Sequence, residues 1–137
     1  MKRLLILFLL LLISALFLSF QLTKQRESYY QALMAKHLNG QKEVLLDDKT
    51  RVDILTDTFA IEVDFAEKWS EGVGQSLYYG NKLHKKAGIV LVINGLEDDR
   101  FVQRLMSVAI KHDITVWVID YNNDGWGRVD VITKIEY

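Results

Sequence analysis

Three acidic residues stand where their spacing suggests joint chemistry. In the stretch RVDILTDTFAIEVDFAEKW, Asp53 lies inside a short apolar run, and Glu62 and Asp64 lie in a second run just downstream. Glu62 and Asp64 are two apart, so on a strand they share a face. With a turn centred between Asp57 and Thr58, equal offsets bring Asp53 opposite Glu62. Cβ atoms of such cross-strand neighbours are about 4.5–5.5 Å apart, and like charges there destabilise the pair unless something compensates. A divalent cation is the natural compensator. Mg²⁺ is commonly held by one or two carboxylates plus water and substrate phosphate, and it can activate water against a phosphodiester. The plain alternative is that the acids form the solvated face of a half-exposed hairpin.

The elements that position these acids follow from periodicity. Tyr29, Tyr30, Leu33, Met34, His37 and Leu38 recur at helical spacing, and Asn39-Gly40 ends that helix. Glu43–Leu46 and Arg51–Thr56 are predicted strands around Asp47-Asp48-Lys49-Thr50. Phe59–Phe65 alternates apolar and acidic residues as a third strand. Helices are expected over 66–83 and 100–111. The run GIVLVIN at 88–94 reads as a strand buried on both faces, as does 114–119. A polar turn at 122–127 and a last strand at 129–135 complete the pattern. A strand meander followed by strand-helix-strand gives an α/β fold, with a mixed central sheet and flanking helices.

The order and the motifs resemble the PD-(D/E)XK, restriction-endonuclease-like nuclease superfamily. Its core is a helix, a three-stranded meander, a helix and a strand, which matches 29–94, and Gln75 and Tyr79 fit the Q-x-x-x-Y signature of the RecB-like branch. The resemblance implies that Asp53 and Glu62 are metal-binding acids and that the ion is Mg²⁺ or Mn²⁺. It implies that Gln75 and Tyr79 position substrate or steady the acids, and that the substrate is a nucleic acid, DNA or RNA. Glu43 would be the further upstream acid, although relatives usually carry theirs on the first helix. The departure is Asp64, which stands where the family has lysine. Asp64 would then assist the metal or its water. Lys68 is a candidate replacement for the lysine, set against a solvated side chain beside Trp69.

Composition bounds the rest. The chain has 137 residues, no cysteine and no proline. That excludes a disulfide scaffold, a thiolate nucleophile and a Cys-ligated zinc site. Residues 4–20 carry only Ser14 and Ser19 as polar residues, with Lys2 and Arg3 ahead. About twenty apolar residues span a bilayer, so 1–22 is predicted to be a transmembrane anchor and 23–137 a nuclease-like domain. A cleaved signal segment is the alternative, and it would give a secreted protein. The basic flank predicts an extracytoplasmic domain, with Lys24 and Arg26 arguing the other way. Apart from Lys2 and Arg3, fifteen basic residues face eighteen acidic ones, a net charge of −3. That excludes a generic basic nucleic-acid binder. It also favours a second reading, a catalytically silent nuclease fold acting in binding at a membrane. An unrelated extracytoplasmic interaction domain is a third. His37, His84 and His112 lack metal-ligand spacing. Asp120, Asn122, Asp124 and Gly125 open like an EF-hand loop, but Val131 stands where the bidentate glutamate is required. Gly72-Val73-Gly74 lacks the third glycine of a dinucleotide loop.

Overall fold

The computed structural model describes residues 2–121 and 128–132, with side chains over 4–19 and 27–121. The polar turn at 122–127, with Asn122, Asp124 and Gly125 of the EF-hand-like opening, and residues 133–135 lie outside the described residues.

The chain begins with a continuous helix, α1 (Lys2–His37). Six strands follow: β1 (Gln41–Leu45), β2 (Arg51–Leu55), β3 (Phe59–Phe65), β4 (Lys86–Ile93), β5 (Thr115–Asp120) and β6 (Arg128–Ile132). Helix α2 (Trp69–Leu83) joins β3 to β4, and α3 (Asp99–Ala109) joins β4 to β5. All six strands form one sheet in sequence order. β3, β4 and β5 are parallel, and the pairs at both edges are antiparallel. The two crossovers therefore carry their helices on the sheet, as parallel pairing requires.

Each face of the sheet has its own core. On one side Met34 and Ala35 of α1 pack on Ile54, Ile61, Val63, Val90 and Val92, with Trp117 edge-on to Phe59. On the other side α2 and α3 cover Ile89, Leu91 and Val116, using Leu105, Met106 and Ala109. This is why 88–94 reads as uninterrupted apolar sequence: both faces of β4 are buried.

Two helix faces differ from their predicted phase. Among the described residues of α1, Tyr30, Gln31, Met34 and Ala35 are buried, while Tyr29 is 57% exposed. The sheet meets the helix one residue further round than an all-apolar face would place it. In the second helix the chain first makes a 3₁₀ turn at Ala66–Lys68, and α2 begins only at Trp69. Its buried side is Gly72, Ser76, Tyr79 and Gly80.

The large apolar side chains from Leu4 to Leu18 are exposed. Among the described residues no helix is long and apolar enough to cross a membrane.

Candidate metal centre

β2 and β3 pair through Ile54–Ile61 and Leu55–Ala60, and the ladder stops there. The next pair in that register is Asp53 and Glu62, as the turn-centred count expects. Their side chains take over the hydrogen bonds of the ladder. The Asp53 amide donates to Glu62 Oε1 at 3.4 Å, and the Val63 amide donates to Asp53 Oδ2 at 2.9 Å. Carboxylates thus occupy the gap between two parting strands. From α1, the buried Gln31 hydrogen-bonds the Asp53 carboxylate.

Glu62 and Asp64 are buried, at 4% and 8% exposure. Asp64 Oδ2 is buried with no hydrogen-bond partner. It lies under Gly72 of α2, where a Cβ would come within 2.6 Å of it. Gly72 is therefore the residue that lets α2 close over the acid.

The electrostatics follow from burial without a balancing cation. Desolvation raises Glu62 to about 9, with the Asp53 charge adding to it. Desolvation and Asp53 raise Asp64 to about 7, against the pull of Lys68. Desolvation raises Asp53 to about 6, opposed by its bonds to Val63 and Gln31. Near neutral pH the group is therefore partly protonated, and bringing in a cation must displace protons.

The sequence-predicted residues separate into two sets. Asp53, Glu62 and Asp64 come together. Tyr79 is buried nearby, where it hydrogen-bonds Thr50 and feels the Glu62 charge, and its phenol is raised by burial first. Lys68 is exposed on the turn after β3, and its charge acts on Asp64. Gln75 departs from the expectation that it steadies the acids: it is exposed, because the buried stripe of α2 runs along Gly72, Ser76, Tyr79 and Gly80 and Gln75 lies off its edge. Glu43 pairs with Arg51 at 2.9 Å on the outer edge, and its charge still acts on Asp53. The acid that faces the cluster from the first helix is Glu27, half-buried one turn before Gln31, whose charge acts on all three carboxylates. The signal for both was the E-x-x-x-Q spacing of Glu27 and Gln31, which puts two polar residues on the sheet side of α1.

Among the described residues no group of three or more histidines and acids is close enough to hold an ion jointly. Two carboxylates suffice for Mg²⁺, so an ion here would rest on Asp53 and Glu62, with Asp64 outside its ligands.

No family model matches the chain, and no solved structure matches it. It is similar to a KilA-N domain-containing protein of Acanthamoeba polyphaga mimivirus, 27% identical over 109 residues. The match covers 67% of this chain and 30% of that protein.

Proposed function

We propose that this chain is a metal-dependent, nuclease-like domain that hydrolyses nucleic-acid phosphodiesters while held at a membrane. The observation that carries the reading is the unpartnered Asp64 oxygen, buried beside Asp53 and Glu62 where β2 and β3 part. A folded protein rarely leaves such an atom without a partner unless the site has a use for it.

Asp53 and Glu62 would hold Mg²⁺ or Mn²⁺. Bound there, the ion would polarise the phosphoryl oxygen and lower the pKa of a water nucleophile. Asp64 would accept a proton from the attacking water, a task suited to an acid raised to about 7. Lys68 would face the developing charge on the phosphate. Gln31 and Tyr79 would keep the acids in place from opposite faces of the sheet. The apolar part of α1 would lie in the bilayer, since its large side chains are exposed from Leu4 to Leu18.

A second reading, a silent nuclease-like module, is favoured by one feature. Asp53 Oδ2 and Glu62 Oε1 already accept backbone amides, so both serve the fold without an ion. The test is cleavage of single- and double-stranded DNA and RNA by the detergent-solubilised chain with Mg²⁺ or Mn²⁺. Activity that is lost in Asp53→Asn supports the enzyme. A folded, inert wild-type chain supports the silent module.

A further inference from the structure

We propose that the acid-bearing end of the sheet is docked against the phospholipid bilayer that takes up the apolar part of α1, with Leu96 as a second point of contact. The proposal rests on the membrane reading of α1 and is independent of the metal.

The orientation comes from contacts along α1. Its C-terminal end runs into Gly40, whose surroundings are Ile54 and Thr56, the far end of β2. Further back along the helix, Gln31 holds Asp53 and the Tyr30 ring meets Phe65 edge-on at 6.1 Å. β3 therefore runs back along α1 and ends on the side of the apolar segment. Parallel register carries its neighbours with it, since Phe65 pairs with Val92 and Ile93 with Asp120. The carboxyl ends of β3, β4 and β5 thus share one end of the domain with the acids.

α1 is unbroken from the apolar segment to the site. At 1.5 Å per residue, Glu27 stands about 12 Å along the axis from Ser19. The headgroup zone takes up roughly 5–8 Å of that. Little room is left between lipid and protein. The turn after β4, Gly95–Asp98, projects from this same end, and it carries Leu96 at 86% exposure, the most exposed large apolar side chain in the described structure. The opposite end holds a cleft lined by Asp57, Asn81, His84, Lys86, His112 and Asp113, and its apolar side chain Ile110 is less exposed, at 54% against 86% for Leu96. Charges near Leu96 are mixed, with Lys68 and Arg100 against Glu67, Glu97 and Asp99. The contact is therefore apolar in character, and docking should change little with salt.

The chain has no cysteine, so single-cysteine variants report one position each. Glu97→Cys and Lys111→Cys, both at exposed positions on opposite ends, are labelled with a fluorophore in the full chain. The chain is then reconstituted into phosphatidylcholine vesicles containing a headgroup-nitroxide lipid, and flotation is measured alongside. The proposal expects flotation, with the label at 97 quenched at least about twofold more than the label at 111 because only the former reaches the headgroup zone. Adding Leu96→Asp should remove that difference and leave flotation intact. Equal quenching at the two positions in a chain that floats overturns the docking while the membrane reading stands. A chain that does not float overturns both.

Discussion

Two clusters of acids sit on the same side of this domain and meet opposite fates. At the β1–β2 turn, Asp47 and Asp48 face Lys82 of α2 at 2.7 and 3.3 Å. Asp48 also accepts from Thr50 and from the Tyr78 hydroxyl. Both carboxyls are held below the usual range, Asp47 chiefly by its bond to Lys82 and Asp48 chiefly by its bond to Thr50. Where β2 and β3 part, Asp53, Glu62 and Asp64 are raised instead, each by burial first. The first cluster brings its own cation and donors, so it needs nothing from outside. The second has amides for two of its acids and nothing for Asp64 Oδ2. Acids that are fully paired stabilise a turn; acids buried short of positive charge keep their protons instead.

The largest effect should come from the buried cluster. If the cluster is catalytic, Asp53→Ala lowers phosphodiester cleavage by about 100-fold or more, and Asp53→Asn does the same while keeping an acceptor for the Val63 amide. Cleavage assays on folded variants check this.

Stability should move the other way in the same cluster. All three acids have native pKa values above their unfolded ones, so the folded state holds more protons from about pH 4 upward. Its stability therefore falls as pH rises through about 6, 7 and 9. Thermal melts should show that decline, with Mg²⁺ reversing it at the alkaline end. Glu62→Gln should raise stability at pH 8 by roughly 1–3 kcal/mol, because folding at that pH must protonate Glu62, whose pKa is about 9, whereas glutamine is already neutral. Denaturant unfolding measures this.

Gly72→Ala sharpens the contrast from the packing side. Its Cβ would press on Asp64 Oδ2 at 2.6 Å. The expected cost is about 1–3 kcal/mol, from overpacking, together with weaker Mn²⁺ binding by calorimetry. The smallest effect belongs to the turn cluster. Lys82→Ala should shift the melting temperature least of the set and leave cleavage unchanged, because exposed ion pairs contribute little. Its residual contribution comes from depressed acids, so it is present at neutral pH and fades below about pH 4.

Much of this contrast was legible in the residues. The alternation over 59–65 places Glu62 and Asp64 together, and the turn at Asp57-Thr58 sets Asp53 against Glu62. The parting of the strands was not legible, because register counting assumes an unbroken ladder. Here the Asp53 and Glu62 side chains replace the backbone bonds. Gln75 was misplaced because the sheet meets α2 along Gly72, Ser76, Tyr79 and Gly80, and the i, i+4 partner of Tyr79 falls just off the edge of that stripe. Glu27 and Gln31 were passed over because polar residues on a packed helix face look like an interruption of the apolar pattern. Glu43 sits at a φ of 58° and reaches Arg51, a local backbone feature that strand alternation does not reveal.

The central claim is that the buried acids accept a divalent cation. It is tested most directly by calorimetric titration of the full chain with Mn²⁺ at pH 7.5 in two buffers of different ionisation enthalpy. With Glu62 raised to about 9, saturable binding should release about one proton per ion, and Asp53→Asn should lose that binding. Absence of saturable binding, or binding with no proton released and unchanged in Asp53→Asn, would contradict the account.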